Sequence, residues 1–179
     1  MKAFVFDTET TGLIRSKLIP LDQQPEVIEF YGCVVNFTAK GYKVTKEVES
    51  LFKPSKPITL EITRITGIDD KMVAGAPKFI EWAGKIKKEI ESSKIVIAHN
   101  ASFDRGMIDL EMKRLDMKVK WPRIICTVEQ TVGMKGFRLN LSRLHEELFG
   151  EKFSGAHRAK EDVQALVRCC HALTQKGIL

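Results

Sequence analysis

The amino-acid sequence predicts an α/β fold in which a mixed sheet is flanked by helices. The chain opens on an apolar, β-favouring run, and a second β-rich segment with a hairpin partner follows it. Short apolar strands then alternate with amphipathic helices, which is typical of parallel strands covered by helices. The 179 residues contain no repeats or obvious linkers, so we expect one domain over residues 1–179.

The first third of the chain predicts three strands. Bulky residues in the segment 2–7 favour a strand, and two prolines mark residues 13–26 as a loop. Residues 27–37 are rich in β-formers. Gly41 then predicts a turn, and residues 42–52 alternate well enough to form the second strand of a hairpin.

The remainder predicts alternating strands and helices. The apolar runs KIVIA and RIIC predict strands at 94–98 and 123–126. A short helix is expected within the segment 57–68. Apolar residues at helical spacing predict four longer helices, at 77–91, 103–115, 140–149 and 159–175.

Charge and cysteine usage limit the classes of function. There are 29 Lys and Arg residues against 23 acids, a net charge of +6, which suits attraction of phosphates and also suits an ordinary solvated surface. No apolar run is long enough for a membrane span, and the N-terminal segment turns acidic too early for a signal peptide. The four cysteines fit no zinc template, so we interpret them as reduced thiols and expect a cytoplasmic protein without a membrane partner.

Carboxylates follow two of the predicted strands and begin the last helix. Side chains two apart share a face of a strand, so Asp7 and Glu9 point the same way. Asp104 lies just after strand 94–98, and Asp162 lies near the start of the last helix. His157 precedes that helix. We therefore expect four carboxylates and one histidine to converge.

Such a cluster of acids predicts a metal site, because unpaired buried charges are costly. Oxygen ligands suit hard divalent ions such as Mg²⁺ or Mn²⁺, and four negative charges balance two of them. Two such ions form a known clamp for phosphodiester cleavage. A histidine, with an ordinary pKa near 6.5, can deprotonate an attacking water at neutral pH.

Three motifs carry a resemblance to a known family. FDTETTG, HNASFD and HRAKED resemble, in order, the three motifs of the DnaQ-like 3′–5′ exonucleases, in the DEDDh branch of the ribonuclease-H-like fold. The resemblance runs from residue 2 to about 175. It implies a mixed five-stranded sheet, two Mg²⁺ or Mn²⁺ ions, and stepwise release of nucleoside monophosphates from a 3′ end.

The resemblance also implies roles for individual residues. Asp7 would bridge both metal ions, Glu9 and Asp162 would help to hold the ion that activates water, and Asp104 would serve the second ion. His157 would be the general base. The expected partners are single-stranded or frayed DNA 3′ ends and, as in proofreading subunits, a DNA polymerase.

Eight further residues are candidates for substrate contacts, and most of them have a structural alternative. The threonines of TETTG are nearly as consistent with an ordinary turn, and Leu13 is either a wedge against the last base or a core residue. Thr66 stands where many relatives have a histidine before Gly-Ile, Asn100 could instead fix a turn, and Phe103 could be core. The full set is Thr8, Thr10, Thr11, Gly12, Leu13, Thr66, Asn100 and Phe103. Phosphate contacts are expected from Lys135, Arg138, Arg143, Arg158 and Lys160.

The sequence therefore predicts a metal-dependent exonuclease that acts on DNA 3′ ends in proofreading, repair or end trimming. An RNA-trimming exonuclease on the same fold is the main alternative, because only contacts to the 2′-hydroxyl separate the two. An inactive nucleic-acid-binding or polymerase-docking module is an alternative of another class, and the complete set of acids argues against it.

Overall fold

A computed structural model describes all 179 residues and contains one five-stranded sheet. Its strands are β1 (Lys2–Thr10), β2 (Val27–Thr38), β3 (Gly41–Leu51), β4 (Ile95–Ala98) and β5 (Arg123–Cys126). Their order in the sheet is β3-β2-β1-β4-β5. Strands β1 to β3 pair antiparallel, and β4 and β5 continue the sheet in parallel with β1. The predicted mixed sheet is confirmed. That these residues form a single domain stays a prediction.

Seven α-helices flank the sheet, and a 3-10 turn at Leu21–Gln23 interrupts the first loop. Two short helices, at Asp70–Val73 and Thr127–Lys135, were not expected from the sequence. No helix combines the length and the apolar character that crossing a bilayer requires. The helices are α1 (Leu60–Thr66), α2 (Asp70–Val73), α3 (Phe79–Ser92), α4 (Ala101–Arg114), α5 (Thr127–Lys135), α6 (Leu141–Phe149) and α7 (Ala159–Gln175).

Strand β1 separates two apolar cores. Its odd-numbered residues Ala3 and Val5 belong to a cluster formed with α6 and α7. Its even-numbered residues Phe4 and Phe6 belong to a second cluster formed with α3 and α4. This alternation follows from the two-residue period of a strand. It determines which helix each later residue of β1 faces.

Strand β1 is longer than the sequence predicted. The expected boundary at residue 7 was wrong, because β2 stays paired with β1 as far as Thr10 opposite Val27. Backbone hydrogen bonding to the long β2 therefore extends the strand beyond its apolar part. As a result, Asp7 and Glu9 lie within a paired strand instead of a loop.

The loop between β1 and β2 is held in place by buried polar groups. Gln24 accepts a hydrogen bond from the Arg15 N–H and donates to the Ser16 carbonyl. Arg114, on α4, donates to three carbonyls of the segment 21–25. These bonds fix the path of the loop that carries Leu13.

Candidate active site

Three carboxylates meet where β1 passes the first turn of α7. One ligand oxygen each from Asp7, Glu9 and Asp162 lies within 4.8 Å of the others. The reason is the alternation of β1, which directs Asp7 and Glu9 to the face that α7 covers. Asp162 reaches them because α7 begins beside this edge of the sheet.

Asp104 approaches the same strand from α4, in the other layer, and lies outside that group of three. Its Oδ1 accepts hydrogen bonds from the Thr8 N–H at 3.1 Å and from the Thr8 hydroxyl at 2.7 Å. Thr8 is an even-numbered residue, so its side chain faces the α4 layer. Three of the four predicted acids are therefore clustered, and the fourth is bound to the residue between Asp7 and Glu9.

The acids resist ionisation in the absence of a cation. Burial raises the pKa of Glu9 to about 8, and repulsion from Asp162 and Glu29 adds to this shift. Burial also raises the pKa of Asp104 to about 7, although the two hydrogen bonds from Thr8 act to lower it. Burial raises the pKa of Asp162 to about 6. The pKa of Asp7 is well above its ordinary range, first because of burial and then because of the nearby acids. These all-oxygen donors fit a hard divalent cation, which would relieve the repulsion.

His157 lies at the rim of the site. It is exposed and has a left-handed backbone, with φ of 70°. Its N–H donates to Asp162 Oδ2 at 3.0 Å. Together with Asp7 and Asp162 it lines a cleft of about 500 Å³, whose other wall includes Arg138 and Asn140. The ring is therefore beside the acids and accessible to solvent.

Sequence reasoning missed Glu29, on β2 directly opposite Glu9. Glu29 is only 2% exposed, and it pairs with Arg158 through contacts of 2.8 to 3.2 Å. It also accepts a hydrogen bond from the Ala159 N–H at 2.9 Å. A usable signal was present in the sequence, because Glu29 is the one charged residue in the apolar run VIEFYGCVV.

Among the candidates at the end of β1 and in the loop that follows, two threonine hydroxyls are already hydrogen-bonded within the protein, and the Leu13 side chain is exposed. The Thr10 hydroxyl donates to the Gly12 carbonyl, and the Thr11 hydroxyl accepts from the Glu26 N–H. These bonds are those expected of turn residues. Leu13 is 79% exposed, so the alternative that it is a core residue was wrong.

Of the remaining candidates, only Asn100 lines the cleft. Thr66 is buried and its hydroxyl bonds to Ile62 and Ile68, so that side chain is occupied within its own turn. Asn100 is exposed, with a left-handed φ of 65°, and accepts a hydrogen bond from Arg138. Phe103 is half-buried against the α3–α4 cluster.

Most of the basic candidates are paired with acids. Arg158 binds Glu29, and three more pairs join Lys135 to Glu147, Arg143 to Glu146 and Lys160 to Glu49. Arg138 alone among the five lines the cleft beside the carboxylates. It is therefore the basic side chain best placed to reach a bound phosphate.

The fold and the site define an α/β protein with a carboxylate centre suited to divalent cations. The RNase_T family model, described as exonuclease, matches residues 4–169. The chain belongs to this exonuclease family, and the expectation from the three motifs is confirmed. A PolC-type DNA polymerase III of Caldanaerobacter subterraneus subsp. tengcongensis is 32% identical over 165 residues, covering 90% of this chain. Its counterpart in Bacillus subtilis is 31% identical over 187 residues, covering 97% of this chain.

The chain spans only 11% and 12% of the lengths of those two polymerases.

Solved structures share the fold over nearly the whole chain. Exonuclease X in complex with 5′ overhanging duplex DNA has a TM-score of 0.67 and 22% identity, covering 98% of this chain and 93% of that one. The nuclease domain of 3′hExo, a DEDDh family member bound to rAMP, has a TM-score of 0.79 and 14% identity, covering 99% of this chain and 93% of that one.

Proposed function

We propose that this exonuclease hydrolyses DNA from the 3′ end, releasing nucleoside 5′-monophosphates with the help of two Mg²⁺ or Mn²⁺ ions. The observation that carries the proposal is the group of Asp7, Glu9 and Asp162 with His157 beside it. Two divalent ions at such a site supply charge neutralisation for the attacking and leaving oxygens of a phosphodiester.

The protein's own residues would perform three tasks. Asp7, Glu9 and Asp162 would hold metal, and Asp104 would complete the set from the α4 side. His157 would accept the proton of the attacking water as general base, since its ring is exposed beside the acids. The contacts to the last nucleotide would come from Leu13 and its neighbours in the loop between β1 and β2, and from Thr66, Asn100 and Phe103.

The DNA substrate is supported by similarity to PolC-type DNA polymerase III and by the DNA-bound structure of Exonuclease X. We propose a role in proofreading, beside a polymerase, and the similarity to PolC-type DNA polymerase III supports it. We propose single-stranded or frayed ends as the preferred form, because unpairing a base costs a few kcal/mol before it can enter a cleft.

An RNA substrate is the second candidate, because the same fold occurs in structures whose names mention RNA or a ribonucleotide. The 3′hExo nuclease domain bound to rAMP and a 3′-exonuclease recognising a histone mRNA stem-loop share the fold with TM-scores of 0.79 and 0.77. Fold similarity at 14–16% identity does not separate the two substrates, so the comparison must be made directly.

The test uses 5′-labelled DNA and RNA oligomers of one sequence, single-stranded, paired and mispaired at the 3′ end. We expect metal-dependent shortening from the 3′ end, fastest on single-stranded DNA, with mononucleotide products. Asp7→Asn should be inactive, whereas Glu146→Gln, a partly exposed acid on α6, should behave as wild type. Digestion of a 3′-blocked or circular strand at the same rate would refute the exonuclease polarity, and faster RNA digestion would assign the second candidate.

A further inference from the structure

We propose that Glu29 is a positioning residue, which caps helix α7 from strand β2 and thereby fixes His157 and Asp162 against the acids of β1. The inference rests on the proposed function for its catalytic meaning. It concerns a residue outside the three motifs, and it can be tested without any nucleic acid.

The start of α7 lacks the usual local cap. Arg158 occupies the N-cap position, and its side chain makes no capping hydrogen bond to the helix. The first N–H groups of a helix have no intrahelical partner and must be satisfied elsewhere. Glu29 Oε2 accepts the Ala159 N–H at 2.9 Å, so the acceptor comes from a residue 130 positions away in sequence.

The Arg158 guanidinium gives Glu29 a second contact to the start of α7, in addition to the Ala159 N–H. We call this pair of contacts a two-sided attachment. Its Nε lies 3.1 Å from Glu29 Oε2, and its Nη2 lies 2.8 Å from Oε1. One carboxylate therefore holds both the backbone and the side chain at the first turn of α7. A two-point contact of this kind fixes orientation as well as distance.

These contacts distinguish Glu29 from the acids of the metal group. Both of its oxygens are occupied by Arg158 and Ala159, and it is outside the group of three converging carboxylates. The contacts of Glu29 are therefore those of a helix cap, not those of a metal ligand.

The position of the cap determines what it controls. His157 directly precedes Arg158, and Asp162 lies in the turn that begins at Ala159. The His157 N–H to Asp162 Oδ2 bond closes the same turn. Loosening the cap would therefore displace the general-base candidate and one metal ligand together.

The test compares Glu29→Gln with Glu111→Gln as a matched control. Glu111 is also buried, at 5% exposed, and also accepts a backbone N–H, from Val27, while pairing with an arginine, Arg114. Three quantities are measured on the full chain: urea unfolding, amide hydrogen exchange by mass spectrometry, and Mn²⁺ binding by calorimetry.

We expect Glu29→Gln to accelerate exchange in peptides covering residues 157–163 and to weaken Mn²⁺ binding by about 10–100-fold, as for other groups that orient metal ligands. Glu111→Gln should lower the free energy of unfolding by a similar amount, but it should change neither the exchange of residues 157–163 nor the Mn²⁺ affinity. Exchange and Mn²⁺ affinity in Glu29→Gln that match the Glu111→Gln control would overturn the proposal.

A second variant keeps the test decisive if Glu29→Gln does not fold. Arg158→Gln removes the guanidinium but leaves the Glu29–Ala159 hydrogen bond, so a smaller change in the same direction is expected in exchange and in Mn²⁺ binding. Unchanged exchange over 157–163 in this variant would contradict the two-sided attachment. Failure of the wild-type protein to degrade nucleic acid would refute the proposed function while leaving these readouts interpretable.

Discussion

Glu9 provides the sharpest test of the electrostatics of the site. In the metal-free protein its pKa is raised from 4.5 to about 8. A group whose pKa is raised on folding contributes stability that is complete below its unfolded pKa and is lost as pH rises through the folded value. The metal-free protein should therefore lose stability between about pH 4.5 and pH 8 because of this one carboxyl group.

The size of the loss follows from the shift. Each pKa unit corresponds to about 1.4 kcal/mol, so a shift from 4.5 to about 8 gives at most about 5 kcal/mol. Part of the shift is repulsion that is shared with Asp162, so we expect about 2–4 kcal/mol. Glu9→Gln removes the titration, and it should stabilise the metal-free protein by this amount at pH 9 and change little at pH 4.

The assay is urea unfolding of wild type and Glu9→Gln in EDTA, from pH 4 to pH 9, repeated with Mn²⁺. Bound metal stabilises by about 2.7 kcal/mol at a hundred times its dissociation constant. The advantage of Glu9→Gln should therefore shrink or reverse when Mn²⁺ is added to the wild type. A difference that is the same at pH 4 and pH 9 in EDTA would refute the reasoning.

Three further substitutions test the proposed roles. Asp7→Ala should lower turnover by at least about 100-fold while the fold survives, since it removes one of several repelling acids; circular dichroism and turnover measurements check this. His157→Ala should lower kcat by about 10²–10⁴-fold while Mn²⁺ affinity stays within a few-fold of wild type, and an unchanged pH–rate profile would require another base. Thr8→Val removes the 2.7 Å hydroxyl bond to Asp104 and should raise the pKa of that acid further above about 7. The activity of this variant should therefore be reduced more at pH 6.5 than at pH 9, and an equal reduction at both would contradict the assignment.

Much of the fold was predictable because local patterns agree with the final structure. The helix expected at 159–175 matches α7, since its apolar residues repeat at helical spacing and pack on the sheet. The end of β1 was not predictable from the strand itself, because pairing with β2 extends it to Thr10. Helix α5 was missed for a related reason, since it presents little amphipathic pattern and is anchored by contacts such as Thr127 to His99.

The sequence predicted part of the arrangement of the candidate site, and the catalytic roles of its residues stay predictions. Asp7 and Glu9 are two residues apart in a strand, which predicts that their side chains share one face of the sheet. In the structure their carboxylate oxygens lie within 4.8 Å of each other. The same alternation puts Thr8 on the other face, where its hydroxyl donates a hydrogen bond to Asp104, a contact that the sequence did not predict. The partnership of Glu29 with α7 joins residues 130 positions apart, which no local pattern reports.

The packing of α7 on β1 has a consequence for the order in which the proposed centre forms during synthesis, because the centre needs acids from both elements. Asp7 is made among the first residues, whereas Asp162 lies more than 150 residues later. A growing chain that ends before α7 has only the strand acids and Asp104, and its α6–α7 core is missing. If the proposed centre is correct, we therefore expect no nuclease activity from a growing chain until α7 has been synthesised and has packed on β1.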